Sequence, residues 1–128
     1  MIALVFKIKG PDRIQLISDA MRASGMPDGE YTLGGLPVIA KDGAARLKEG
    51  GALAGSVLQL NVALKNVAEI TKLPLAELVK STSYAQAQAL GLPGIGKLEP
   101  GFRADIVLLD AAWKVRKTFV DGEIRFEA

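Results

Sequence analysis

An aspartate near the start of the chain is the strongest candidate for a chemical role. Residues 14–18 carry branched apolar side chains in the pattern of a short strand buried on both faces, and Asp19 follows directly. A carboxylate at the end of a strand can work as a general base and then as a general acid, because it can accept a proton and return it. The residues alone leave two interpretations open, a proton-transfer group or an ordinary loop aspartate.

The residue types around Asp19 limit the chemistry that this chain can perform by itself. It contains no histidine and no cysteine, so Ser-His and Cys-His nucleophile pairs are excluded, as are disulfides and thiolate metal sites. A metal could be bound here only by carboxylates and carbonyls, which suits magnesium or calcium better than zinc. We therefore predict no metal site within the chain, and we predict that Ser56 is a helix cap and not a nucleophile.

Composition indicates a soluble globular protein. The 128 residues carry a net charge of +2, with 49% hydrophobic and 23% charged residues, enough for one domain's core. The basic residues are scattered, which argues against nucleic acid. No apolar run approaches the roughly 20 residues of a membrane span, and the apolar start is too short for a signal peptide. The absence of cysteine fits a cytoplasmic protein.

Turn and cap residues divide the first half of the chain into short elements. A helix over residues 3–9 is predicted to end at Gly10-Pro11, before the strand at 14–18. Residues 21–35 read as a loop with a turn at 27–29, and Asp42-Gly43 predicts a hairpin over 36–47. A glycine-rich connection over 49–56 leads to the next helix.

The second half is predicted to be helical and then β-rich. Ser56 and Gln59 have capping-box spacing, so a helix is expected from Ser56, with these residues on its buried face: Leu60, Ala63, Leu64, Val67 and Ile70. A second helical segment runs from Pro74 to a cap at Gly91, with a weak point at residues 81–83 that can split it. A strand at 104–110 and a hairpin over 115–126 follow.

Two groups of motifs resemble a known family. "GKLEPGFRADIVLLD" (96–110) resembles the closing signature of the amidohydrolase superfamily. "SDAMRASGMPDGEYTLGG", "KDGAARL", "ALAGS" and "ALKNV" follow one another in the order seen in the N-acetylglucosamine-6-phosphate deacetylase family. The resemblance runs from Ala3 onward, although that family carries Asn-Pro where this chain has Ala85-Gln86.

The resemblance implies an α/β fold that is the C-terminal fragment of a metal-dependent (β/α)8 amidohydrolase barrel plus strands of its small β-sandwich. Residues 1–92 would be the last part of the barrel, with the eighth strand at 14–18, an inserted hairpin and closing helices. Residues 93–128 would be the C-terminal strands of the sandwich. The N-terminal barrel portion would then be the missing partner of this chain.

The same resemblance implies the chemistry. Asp19 would accept a proton from a metal-bound water and deliver it to the departing amine, while Leu53, Ala54 and Gly55 would lie near the N-acetyl sugar. The divalent metal, zinc or iron, would be held by histidine and glutamate ligands that this chain lacks, with Asp19 making at most a weak or water-mediated contact. We expect the complete enzyme to hydrolyse a phosphosugar acetamide and the isolated chain to be inactive.

Four other residues are expected to have no chemical role. Arg22 is expected at the surface, while Asp105, Asp110 and Trp113 are expected to be structural.

Two other functions are possible for this sequence. One alternative is a fragment of another amidohydrolase that acts on a different amide. The other is a non-catalytic module that folds by self-association, because an unpaired barrel strand invites pairing. Whether the protein forms a homo-oligomer stays open.

Overall fold

The computed structural model describes all residues from Met1 to Ala128. It contains four helices and six strands, with single 3-10 turns at Pro11–Arg13 and Val79–Thr82. The helices are α1 (Ile2–Lys9), α2 (Leu60–Thr71), α3 (Leu75–Leu78) and α4 (Tyr84–Ala89). The strands are β1 (Gly29–Leu33), β2 (Leu36–Lys41), β3 (Ala44–Leu47), β4 (Ile106–Leu109), β5 (Val115–Val120) and β6 (Glu123–Glu127). None of the helices has the length and apolar character that a membrane crossing requires.

The chain divides into two compact units. The first, here called the meander unit, is Ile17–Ala63, and the second, here called the larger unit, combines Met1–Leu16 with Leu64–Ala128. The division falls inside α2.

The meander unit is built on an antiparallel sheet in the order β1-β2-β3. Asp42 and Gly43 both have positive φ, 50° and 75°, and join β2 to β3, which confirms the predicted hairpin. One face of this sheet packs into a core of small and medium-sized side chains: Met21, Ala23, Val38, Ala40, Ala45 and Ala54. The sheet therefore supports the segments that contain Met21 and Ala54.

The interpretation of residues 21–35 as a loop is wrong in its second half. Residues 29–33 form β1, which pairs with β2 from Gly29 opposite Ala40 to Leu33 opposite Leu36. The reason is local, because Tyr31 and Thr32 are residue types that favour strands, and Gly34-Gly35 follows them. Those two glycines have φ of 57° and 85°, the left-handed values that a tight hairpin turn needs.

The larger unit begins with α1, which confirms the predicted N-terminal helix. Gly10 ends it with φ 74°, and its N–H donates to the carbonyl of Phe6 over 2.9 Å. Phe6 is buried together with side chains from α2 and α3: Leu64, Val67 and Leu78. Trp113 is half-buried against this cluster, as a packing residue should be.

The predicted strand at residues 14–18 is absent. Ile14 has extended angles, but these residues join no ladder. Leu16 is bound instead to the helical segment, where its N–H donates to the carbonyl of Ser81 over 2.8 Å. Its own carbonyl accepts from Nε2 of Gln86 over 3.0 Å. A strand needs a neighbouring strand for its backbone groups, and here a helical segment satisfies those of Leu16.

The start of α2 was also predicted wrongly. The helix begins at Leu60, and the hydroxyl of Ser56 accepts the N–H of Leu58 over 3.1 Å, so the capping box with Gln59 does not form. Ser56 pairs with Ala20 in a parallel bridge, and residues 57–59 after it are not helical, so Ser56 is not the N-cap of α2. Ala63, Leu64 and Val67 are buried as expected, but these two outer positions are exposed: Leu60 and Ile70.

The second helical segment is split as predicted. The 3-10 turn over Val79–Thr82 separates α3 from α4, and the hydroxyls of Ser81 and Thr82 each donate to a carbonyl three residues earlier. Gly91, with φ 63°, ends α4 in a Schellman arrangement, because the N–H of Leu92 donates to the carbonyl of Ala87 over 2.9 Å.

The last third of the larger unit is an antiparallel sheet in the order β4-β5-β6, which confirms the predicted strand and hairpin. Two aspartates fix its connections. Asp105 binds the guanidinium of Arg103 and accepts the N–H of Asp121, and these contacts lower the pKa of its carboxyl. The backbone N–H of Lys114 is the main cause that lowers the pKa of Asp110. Both aspartates are structural, as expected.

Candidate functional site

Asp19 lies on the surface of the meander unit in an unusual backbone conformation. Its side chain is exposed and its φ is 47°, in the left-handed region. Aspartate and asparagine enter this region more readily than other non-glycine residues, because their short polar side chains can bond locally. Asp42 and Asp121, which lie in hairpin turns, have similar φ values.

A parallel pairing connects the Asp19 segment with the glycine-rich connection. Ala20 and Ser56 form an isolated parallel bridge, and the N–H of Met21 donates to the carbonyl of Ser56 over 2.8 Å. In this register Asp19 precedes Ala20 as Gly55 precedes Ser56, so Asp19 and Gly55 stand on adjoining segments. The structure thus brings together the two parts of the site that the sequence predicts.

The three predicted substrate-binding residues differ in what they present. Leu53 is 70% exposed and forms an antiparallel bridge with Arg46. Ala54 is buried, and its N–H donates to the carbonyl of Ala45 over 2.9 Å, so the segment is fixed to β3. Gly55 contributes backbone only, at φ 85°. The segment therefore offers one exposed apolar side chain and a constrained backbone beside Asp19.

A side chain at position 55 would crowd its neighbours. A Cβ at this position would be 3.0 Å from Sδ of Met21 and 3.1 Å from Cδ2 of Leu33. Sequence reasoning missed Met21 and Leu33 as neighbours of the site. The only signal for them was that Met21 stands two residues after Asp19 in the motif that carries the resemblance.

The residues of this chain do not fit a metal site. No three Asp or Glu side chains lie close enough to bind an ion, and the chain has no histidine or cysteine. Asp19 is the one carboxylate that the resemblance places near a metal, and a lone exposed carboxylate does not supply the three or more protein ligands typical of such sites. Any metal would need its ligands from outside these 128 residues.

Two further residues near the site can be assigned. Arg22 is exposed, and its guanidinium makes no hydrogen bond or ion pair in the structure, which agrees with the surface interpretation. Ser56 acts through its backbone, which binds Met21, and through its hydroxyl, which accepts the N–H of Leu58. Its hydroxyl has a structural function, although not the helix cap that the sequence predicts.

Comparison with known proteins assigns the chain to a class. The model of the amidohydrolase family matches residues 34–125, most of the sequence. A 43% identical relative from Escherichia coli K12 aligns over 88% of this chain and 68% of its own length, and is named a putative N-acetylgalactosamine-6-phosphate deacetylase. The chain belongs to the amidohydrolase family.

The relatives narrow the comparison to sugar-phosphate deacetylases. N-acetylglucosamine-6-phosphate deacetylase from Lysinibacillus sphaericus is 44% identical over 98% of this chain. N-acetylglucosamine-6-phosphate deacetylase from Thermotoga maritima is 43% identical in sequence. Its crystal structure matches the whole of this chain with a TM-score of 0.87. A Mycobacterium smegmatis deacetylase, solved as a mutant with N-acetyl-D-glucosamine-6-phosphate, has a TM-score of 0.84 at 35% identity, over 95% of this chain and 33% of its own.

These relatives are longer than this chain. It spans 32% of the Lysinibacillus protein and 35% of the Thermotoga structure. The architecture described above is therefore an amidohydrolase-family fold with α/β content and two small antiparallel sheets, at about a third of the length of those relatives.

Proposed function

We propose that this chain is the C-terminal part of an N-acetylglucosamine-6-phosphate deacetylase. The complete enzyme would hydrolyse N-acetylglucosamine 6-phosphate to glucosamine 6-phosphate and acetate, as a step of amino-sugar catabolism. The observation that carries the proposal is the match of 98% of the chain to a deacetylase of that name at 44% identity. The pairing of Ala20 with Ser56 supports it, because it sets the proposed base beside the proposed substrate segment.

Asp19 would perform the proton transfers of this hydrolysis. Its carboxylate would take a proton from the attacking water as the water oxygen bonds to the acetamide carbonyl carbon. The same group would then give that proton to the sugar nitrogen as the carbon–nitrogen bond breaks, which releases the amine and acetate. An exposed carboxylate suits both steps, since it is accessible to water and to substrate.

Leu53, Ala54 and Gly55 would contact the N-acetyl sugar beside Asp19. Ala54 is fixed to β3 by its N–H, so the segment would present its backbone and the exposed side chain of Leu53 in one arrangement. Holding the acetamide in a fixed position relative to the base would raise the reaction rate, because the reacting groups then need no further reorientation before the transition state.

The remainder of the site would come from the portion that this chain lacks. In the complete enzyme, residues 14–18 would find strand neighbours as the eighth strand of a (β/α)8 barrel, and residues 1–92 would complete that barrel. Residues 93–128 would supply strands to a small β-sandwich. A divalent metal, zinc or iron, would be bound by histidine and glutamate side chains of the preceding portion, because the residues here do not form its site.

A second substrate has a specific observation in its favour. Two Escherichia coli relatives, each 43% identical over 114 residues, are named for N-acetylgalactosamine 6-phosphate, the epimer at carbon 4. The deacetylation and the role proposed for Asp19 would be the same for both sugars. The candidates therefore differ in sugar recognition alone.

The test is a substrate comparison with the complete protein that contains this chain. We expect acetate release from N-acetylglucosamine 6-phosphate with kcat/KM at least tenfold above that for the galactose epimer, roughly the contribution of one hydrogen bond to a sugar hydroxyl. The reverse preference would assign the second substrate. No acetate release from either phosphosugar would overturn the proposal.

A further inference from the structure

We propose that Met21 is a positioning residue whose contact with Gly55 sets the spacing between Asp19 and the substrate segment Leu53–Gly55. This role in catalysis rests on the deacetylase function proposed above. Met21 is a buried residue, and the inference rests on its contacts within the meander unit.

Met21 holds the glycine-rich connection in two ways. Its N–H donates to the carbonyl of Ser56, which fixes the two backbones in parallel register. Its side chain is buried in the core of the meander unit and fills the space beside Gly55, with Sδ 3.0 Å and Cγ 3.2 Å from the point where a Cβ would be. The backbone bond and the side-chain contact therefore act on neighbouring residues of one segment.

The small separation and the φ of 85° both favour glycine at position 55. Contacts of 3.0–3.2 Å are closer than most Cβ contacts in proteins, so a Cβ here would displace the Met21 thioether and the end of Leu33 by a few tenths of an ångström. Core side chains are packed at high density, so such a movement would transmit to the Met21 backbone and to the bridge between Ala20 and Ser56.

Hydrogen exchange of individual amides in the 128-residue chain tests the contact directly. Gly55→Ala is expected to speed exchange of the Met21 N–H about tenfold relative to the Lys48 N–H, which donates to the carbonyl of Pro37 in the same unit. Adding Met21→Ala should remove the crowding by the thioether, so that Gly55→Ala speeds exchange at position 21 by a smaller factor in the Met21→Ala background than in the unsubstituted chain. A purely global loss of stability would instead speed both amides together.

Gly35→Ala is the matched control. Gly35 has the same φ of 85° as Gly55, but a Cβ there would meet nothing within 4 Å. It reproduces the strain of placing alanine in the left-handed region without the crowding. Equal effects of Gly35→Ala and Gly55→Ala on the Met21 amide would overturn the inference.

Refolding of the double variant and the kinetics of the complete enzyme provide two further measurements. If Gly55→Ala unfolds the chain, refolding on addition of Met21→Ala supports the contact, and failure to refold contradicts it. In the complete deacetylase, Gly55→Ala should raise KM as well as lower kcat, with partial recovery on adding Met21→Ala, whereas a loss of folded enzyme alone would leave KM unchanged. Inactivity of the unsubstituted enzyme would refute the proposed function and leave the exchange result to decide the role of Met21.

Discussion

The N–H of Met21 and the carbonyl of Ser56 are joined by a hydrogen bond of 2.8 Å, although the two residues are far apart in the sequence. This bond, with the neighbouring bridge between Ala20 and Ser56, aligns the segment that contains Asp19 with the glycine-rich connection. A carboxylate and a constrained backbone segment thereby become neighbours. In the function proposed above, this arrangement would be one part of an amide-hydrolysing site, and this chain has no group of residues that could bind a metal.

The 128-residue chain alone should not deacetylate N-acetylglucosamine 6-phosphate. It has a proposed base but no set of metal ligands, and it spans about a third of the deacetylases it resembles. Acetate release by purified residues 1–128, with and without added zinc or iron, measures this directly. Turnover by the chain alone would show that the site proposed here is already complete.

Acid unfolding should depend on Asp110. The N–H groups of Lys114 and Ala112 and the guanidinium of Arg116 lower the pKa of this carboxyl in the folded chain. Above the ordinary aspartate pKa, about 4, both states are ionised and the full stabilisation is present. As the pH falls below that value the unfolded state binds the proton first, so this stabilisation is lost down to the folded pKa.

Asp110→Asn should therefore flatten the loss of stability below pH 4. The asparagine side-chain oxygen can still accept the two backbone N–H groups, so the turn is kept while the titration is removed. Urea unfolding at several pH values between 2.5 and 6 provides the measurement. An unchanged slope in this variant would show that Asp110 contributes nothing to acid sensitivity.

The core of the larger unit should respond strongly to Leu78. This side chain is completely buried with Phe6, Leu64 and Val67, so Leu78→Ala should lower the free energy of unfolding by about 2–5 kcal/mol. Leu75→Ala, on the same helix but 51% exposed, should change it by less than about 1 kcal/mol. Similar losses for both variants in urea unfolding would contradict the core described here.

Elements that depend on neighbouring residues could be predicted from the sequence. The turns at Asp42-Gly43 and Asp121-Gly122 need two residues with positive φ, and both sequences permit it. The split of the second helical segment and its end at Gly91 also follow from local chemistry. In these places the residue types determine the backbone without help from distant partners.

Elements that depend on distant partners could not be predicted from neighbouring residues. Residues 14–18 pair with no strand in this chain, and Leu16 bonds to Ser81 and Gln86, which no local pattern indicates. Ser56 has the spacing of a helix cap, yet it pairs with Ala20 and the helix begins only at Leu60. The roles of Asp19 and of Leu53–Gly55 come from resemblance, and the crowding by Met21 became visible only in three dimensions.

Substitution of Asp19 tests its proposed role in proton transfer. Asparagine is nearly isosteric, tolerates the left-handed φ of 47° and occupies an exposed position, so Asp19→Asn should keep the fold while removing the proton acceptor. Asp42→Asn is the matched control, since Asp42 is also exposed, has φ 50° and lies in a hairpin turn of the same unit.

The most direct measurement is kcat for deacetylation of N-acetylglucosamine 6-phosphate by the complete enzyme with each of these two substitutions. Asp19→Asn should lower kcat by about 10²- to 10⁴-fold, the usual contribution of a general acid–base group, while Asp42→Asn stays near the unsubstituted value. Near-normal turnover by a folded Asp19→Asn enzyme would show that Asp19 is not the proton-transfer group.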